Sequence, residues 1–343
     1  MANEFVDLSK DANSLRAMLQ QLGLAKPGER ARIEMLPGGI SSSIMRVDLS
    51  QGSVCVKQAL PKLKVEKDWY APTSRVLAEI DWLKTAYGIV PDNVPRVLAA
   101  DRERGAFVME FLPERPIWKS ELLAGRIQPE VAEQIASVLG RVHAATARNP
   151  TISSQFSNDA NFFMLRLESY LVEAARQHPD LSPELIGLVH ITQTSRLALV
   201  HGDVSPKNVL LGDKGPVLLD AECAWYGDPA FDLAFLLNHM LLKSAHLAGR
   251  ANDFFGLYER IVANYLPHVA WEDPSHLDAR CARLLPGLLL ARIDGKSPVE
   301  YLSEHQRSLV RSTARALLFA PETRLRDVLL RWKDSLSRKE PAS

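Results

Sequence analysis

Between His201 and Asp232 the chain reads HGDVSPKNVLLGDKGPVLLDAECAWYGDPAFD, and this stretch narrows the possible folds more than any other. Two short apolar runs, Val209 to Leu211 and Val217 to Leu219, flank Gly212-Asp213-Lys214-Gly215, residues tolerant of positive φ, so the spacing predicts an antiparallel hairpin. Such a hairpin returns Asp220 and Glu222 to the neighbourhood of Asp203 and Asn208. A proton acceptor is thereby grouped with oxygen ligands for a hard cation. Magnesium is usually held by one or two carboxylates together with substrate phosphates, and Asn208 and Asp220 fit that task, with Glu222 as a further ligand. Phosphoryl transfer through a loose transition state asks little covalent chemistry of a protein, so one aspartate that orients a hydroxyl and takes its proton late is a sufficient base. Asp203 is the candidate.

The segment HGDVSPKN resembles the catalytic loop of the aminoglycoside phosphotransferase and choline kinase superfamily, a branch of the protein-kinase-like fold, and GDPAFDLA resembles its continuation. A nearer likeness is to the methylthioribose kinase family, which carries an Asp-x-Glu pair where protein kinases have Asp-Phe-Gly; LDAECAWYGDPAFDLA is similar to its version. The resemblance implies an α+β, two-lobed protein-kinase-like fold. It places an N-terminal antiparallel-sheet lobe over residues 1–112 and a larger, mainly helical catalytic and acceptor lobe over 113–343. It also implies ATP as phosphate donor, Mg2+ as cofactor, and Asp232 as a buried carboxylate that steadies the catalytic loop through backbone N–H groups. His201 is expected to anchor the same loop. The short interval from Asp220 to Asp232 leaves no room for the long segment with which protein kinases dock a peptide, so the expected partner is a small-molecule acceptor.

Lys plus Arg equals Asp plus Glu, 41 each. A neutral chain offers no support for nucleic acid or an anionic membrane as partner. Cys55, Cys223 and Cys281 are odd in number, far apart and without metal-type spacing, which reads as reduced thiols in a cytoplasmic protein. No apolar run follows a basic start at MANEFVDLSK, and the apolar stretch Leu233 to Leu242 is too short to span a bilayer.

Along the chain, residues 11–24 show a helical stripe at Leu15, Met18, Leu19 and Leu22. Strands follow at Ile33 to Leu36, Ile44 to Leu49 and Ser53 to Lys57, and again at Arg96 to Ala100 and Gly105 to Phe111. The turn LPGGISSS is a candidate phosphate cover, in which Gly38, Gly39, Ser41 and Ser42 let backbone N–H groups approach phosphate oxygens. Alternation in SVCVK sets Lys57 on the face opposite Val54 and Val56. Glu79 borders the apolar stripe of a helix predicted from Ser74 to Tyr87. A half-inward carboxylate wants a cation, and Lys57 with Glu79 matches the pair that kinase-like enzymes use to hold nucleotide phosphates.

Further assignments follow from the resemblance. Backbone groups of Glu110 and Leu112, in the candidate hinge FVMEFLPERP, are expected to meet the adenine. Trp69, Trp225, Tyr226 and Arg292 are candidate acceptor contacts, and residues 271–310 are expected to close the acceptor pocket. The family presents paired arginines where this chain has Ala291 and Arg292, and its catalytic loop usually ends in a small residue where this one has Asn208. The acceptor is therefore read broadly, as a sugar or polyol. An aminoglycoside acceptor and a nucleotide-binding regulatory module without turnover are the alternatives. His143 and Cys223 read as packing residues, and the sequence is silent on oligomeric state.

Overall fold

The computed structural model describes residues 5–37, 39, 41–62, 72–113 and 115–338. It divides into two compact units, Met1–Arg115 and Pro116–Ser343.

The first unit is built on a five-stranded antiparallel sheet of order β1-β2-β3-β5-β4. Its strands are β1 (Arg32–Met35), β2 (Ser42–Leu49), β3 (Gly52–Ala59), β4 (Val97–Asp101) and β5 (Ala106–Glu110). Asp11 caps the first helix, Ala12–Gln21, by accepting from the N–H groups of Asn13 and Ser14. The apolar stripe of that helix, Leu15, Met18 and Leu19, packs with Met45, Val47, Val54, Val56 and Val108. Because side chains alternate along a strand, burying Val54 and Val56 there directs Cys55 and Lys57 to the other face. That face is also covered, for both are buried. The helix Arg75–Tyr87 buries Val76, Glu79, Ile80 and Leu83.

The second unit is mainly helical, which with the sheet unit gives the α+β class expected. Strand β6 (Ala198–Val200) pairs antiparallel with β9 (Trp225–Gly227), and the predicted hairpin forms between β7 (Val209–Gly212) and β8 (Gly215–Leu218). Val209 faces Leu218 and Gly212 faces Gly215, so only Asp213 and Lys214 make the turn. From Phe163 to Val172 the chain is wound as a π-helix, a rare winding that turns up often at functional sites.

The apolar run after the acidic motif extends into a longer helix, Pro229–His246. Asp228 caps it by accepting from the Ala230 N–H, and proline stands at the first helical position, where no N–H is needed. Every residue from Pro229 to Ala245 is buried, as suits a helix apolar on nearly all sides. Among the described residues no helix is long and apolar enough to cross a membrane.

Leu237 is fully buried in this helix, whereas Leu330 is half exposed on the helix Leu325–Ser337. Leu237→Ala is expected to cost about 2–5 kcal/mol through lost burial and a residual cavity. Leu330→Ala should stay within about 0.5 kcal/mol. Urea unfolding of the two variants checks the contrast.

Candidate active site

The loop from His201 to Asn208 joins β6 to β7, and the buried helix fixes its start. Asp232, in the first turn of Pro229–His246, accepts the His201 N–H at 2.7 Å on one oxygen and the Gly202 N–H at 2.8 Å on the other. His143 Nε2 lies 3.2 Å from the same carboxylate, and its Nδ1 is 2.7 Å from the Tyr265 hydroxyl. Gly202 has φ +80°, and a Cβ there would stand 2.8 Å from Cys223, so no other residue fits without strain. The His201 ring closes the loop. Its Nδ1 accepts the Asp203 N–H, which puts the ring proton on Nε2, aimed at the Leu219 carbonyl. Burial pulls the imidazole below its ordinary pKa, which keeps it neutral in this role.

So held, Asp203 meets two cations. Its Oδ2 lies 2.9 Å from Arg166 and 2.9 Å from Lys207. Burial alone would raise the carboxyl's pKa, but Lys207 and Arg166 outweigh it and hold Asp203 below the usual aspartate range. The side chain is therefore an ionised hydrogen-bond acceptor at neutral pH. Asn208 ties its amide N–H to the Asp203 carbonyl at 3.0 Å, which turns its oxygen toward Lys207 at 3.1 Å. Asp220, at φ +67°, brings a carboxylate oxygen to 3.8 Å from the same ammonium. Three hard oxygen donors thus surround one cationic group, and that group is half exposed on a flexible stem. Asn208 and Asp220 offer the kind of oxygen donors that a hard cation such as magnesium takes, and are the residues that could hold one. Among the described residues no group of three or more His, Cys, Asp or Glu is placed to hold a metal ion. The Glu222 carbonyl accepts from Asn161 at 2.8 Å, and the residue is partly exposed.

In the first unit Lys57 and Glu79 form a buried ion pair, Nζ to Oε1 2.8 Å. Pairs of this kind are held by geometry, since removing one member strands a charge at a cost of roughly 3–5 kcal/mol. Gly39 adopts φ +73°, and a Cβ would meet the Ser42 carbonyl at 2.7 Å; the tight turn itself demands glycine. Ser41 and Ser42 are buried rather than displayed on an open turn. The Ser41 carbonyl accepts from Leu60 and Arg75, and Ser42 begins β2 opposite Ala59. The Glu110 N–H donates to the Arg96 carbonyl at 3.0 Å, and Leu112 lies just past the end of β5, partly exposed. Gly38 and Trp69 fall outside the described residues.

Two assignments need correcting. Trp225 and Tyr226 were expected at the acceptor, yet both lie in the interior. Trp225 stacks on Phe162 with ring centroids 4.2 Å apart. The Tyr226 hydroxyl donates to the Leu197 carbonyl and accepts the Asn149 N–H. Strand β9 is covered on both sides, so its adjacency to the acidic motif in sequence does not carry these rings into a pocket. Arg292 bonds to Ser297 and approaches the Tyr170 hydroxyl at 3.4 Å. Sequence reasoning passed over Arg166 and Lys207. Lys207 stands four residues after Asp203 inside the motif, a spacing that could have flagged it; Arg166 offered only the oddity of an arginine among apolar residues.

Residues 32–268 match the phosphotransferase enzyme family. The chain belongs to that family. A methylthioribose kinase from Yersinia enterocolitica is 29% identical over 251 residues, covering 65% of this chain and 62% of the relative, so the chain spans about three-fifths of that protein's length. Among solved structures, an ethanolamine kinase from Plasmodium vivax has the same fold at 12% identity and a TM-score of 0.56, covering 99% of this chain and 91% of its own. A choline/ethanolamine kinase family protein from Mesorhizobium loti shares it at 18% identity and a TM-score of 0.51, over 97% and 100%.

The depressed Asp203 pKa has a direct consequence. Its stabilising contribution is present above the unfolded aspartate value of about 4 and is lost as pH falls through the lower folded value. Arg166→Met removes one cation and leaves the burial, so the Asp203 carboxyl resonance should titrate at higher pH in the variant. NMR of aspartate-labelled protein reads this; an unchanged midpoint would show that Arg166 does not hold the carboxylate.

Proposed function

We propose that the protein is an ATP-dependent small-molecule kinase that transfers the γ-phosphate to a hydroxyl of a sugar- or polyol-type metabolite. The observation that carries this reading is Asp203, ionised between Arg166 and Lys207 on a loop whose backbone is gripped by Asp232. Family membership and the likeness to a protein named methylthioribose kinase support it.

Lys57, fixed by Glu79, takes the nucleotide phosphates. Backbone groups near Glu110 and Leu112 meet the adenine. Asn208 and Asp220, with Glu222, hold magnesium, which when bound offsets charge on the phosphate oxygens. The acceptor hydroxyl donates a hydrogen bond to the Asp203 carboxylate, which orients its oxygen toward the γ-phosphorus. As the new O–P bond forms and the bond to the ADP oxygen breaks, the hydroxyl proton passes to Asp203. A carboxylate of low pKa is a weak base, but a loose transition state asks for little base strength until late. Lys207, within reach of Asp203, Asn208 and Asp220, is placed to follow charge onto the transferred group. All three cysteines are buried and unpaired, in keeping with the cytoplasmic setting that we propose for it.

Purified protein with Mg-ATP, offered pentoses, methylthioribose, polyols, amino alcohols and aminoglycosides, is expected to release ADP with a sugar- or polyol-type acceptor. Asp203→Asn should lower kcat by at least about 10²-fold, and Lys57→Met should raise the KM for ATP. ATP binding without ADP formation for any acceptor would instead identify a nucleotide-binding regulatory module.

A further inference from the structure

Phe235, His239, Lys243 and His246 recur along one face of the helix Pro229–His246. This face carries a concentration of buried polar groups that the proposed chemistry leaves unused. Lys243 is 1% exposed, and among the described residues its Nζ meets no carboxylate; its contact is the Tyr301 ring, 5.3 Å from the centroid. Among the described residues, His239 Nε2, His246 Nδ1, Arg292 Nε and the Tyr301 hydroxyl are buried without a hydrogen-bond partner. Burial, with Lys119 and Arg292 nearby, pulls the Lys243 ammonium down to about 7. Glu300, the carboxylate in this neighbourhood, is largely exposed and bonded to Lys119. Isolated buried charges and unmet polar atoms destabilise a fold, so a cluster of them calls for a ligand.

The face connects to the catalytic loop. Arg166, paired with Asp203, lies over the rings of Tyr170 and Phe235 at 5.8 and 5.9 Å. Tyr170 approaches Arg292, and Phe235 meets the His239 ring at 5.3 Å between centroids. At about 1.5 Å of rise per residue, Lys243 lies about 12 Å along the helix from Phe235.

We propose that this face is an anion subsite and that the metabolite phosphorylated at Asp203 carries a carboxylate or phosphate group, received by Lys243, His239 and Arg292. The inference rests on the kinase reading and names its acceptor class: an anionic hydroxylated metabolite such as a sugar acid or a sugar phosphate. An anion gives Lys243 the counter-charge that the protein withholds, and it supplies acceptors for the orphaned donors. The Lys243 and Arg292 cations repel a polycationic aminoglycoside.

Calorimetry on the full chain in Mg-ADP, titrated with aldonic acids, sugar phosphates and their uncharged sugar and polyol counterparts, tests this. An anionic member should bind at least tenfold more tightly than its neutral counterpart, and whether it is an acid or a phosphate identifies the group. Lys243→Met should weaken that binding at least tenfold without lowering the melting temperature, because it removes an unpaired buried charge. His239→Gln, a milder change, should act in the same direction. Asp203→Asn should retain anion binding while losing ADP formation. Equal affinity for charged and neutral compounds, or undiminished anion binding in Lys243→Met, overturns the inference, and ADP formed with a neutral acceptor would then leave the kinase reading standing. Anion binding lost in Lys243→Met, in a protein that forms no ADP with any acceptor, would keep the subsite and overturn the kinase reading.

Discussion

The arrangement of the second unit depends on one carboxylate. Asp232 sits in the first turn of a helix that is buried along almost its whole length, and it reaches back to accept the N–H groups of His201 and Gly202. Both lie in the interior, where an unmet N–H costs about 1–3 kcal/mol, and a negative charge near a helix N-terminus is favoured by the helix dipole. The buried helix thus serves as an anvil for the loop. With the first two residues fixed, the left-handed turn at Gly202, packed against Cys223, leaves Asp203 one way to point. The neutral His201 ring ties that residue to the end of the hairpin.

Charge then does what geometry has prepared. Asp203 lies among cations rather than in water, and Arg166 and Lys207 offset its desolvation. Lys207 also faces Asn208 and Asp220, so one flexible ammonium lies among the oxygen donors that we propose as metal ligands. Arg166 links this centre to the aromatic rings of Tyr170 and Phe235, and through them to the basic face that ends at Lys243 and His246. The loop that carries Asp203 and the proposed acceptor subsite are thereby both held by the same buried helix and the π-helical segment beside it. Rigid elements of this kind position side chains more accurately than loops do.

How much of this was legible in the sequence depended on distance along the chain. The β7–β8 hairpin, the buried helix and the alternation that turns Lys57 away from Val54 and Val56 are local patterns, and periodicity reads them. The motif from His201 to Asp232 is compact, so a role for Asp232 could be named from the resemblance. Arg166 could not, because an arginine within a helix reads as solvated until the fold brings a carboxylate from a distant loop against it. Lys243 was hidden by the apolar run before it. Trp225 and Tyr226 misled for the opposite reason: closeness in sequence to an acidic motif said nothing about which way β9 faces, and pairing with β6 buries both. The LPGGISSS turn shows the same limit. Gly39 is explained by its left-handed φ and the Ser42 carbonyl beside it, so its residue type alone does not report on a phosphate.

If Asp232 holds the loop from His201 to Asn208 in place, the His201, Gly202 and Asp203 amides should show it in hydrogen exchange. In the native protein these amides should exchange as slowly as those of the helix Pro129–Thr146. In Asp232→Asn they should exchange at least tenfold faster, with that helix still protected and ADP formation lost in parallel. Unchanged protection of the loop in the variant would mean that the loop owes its shape to something other than this carboxylate.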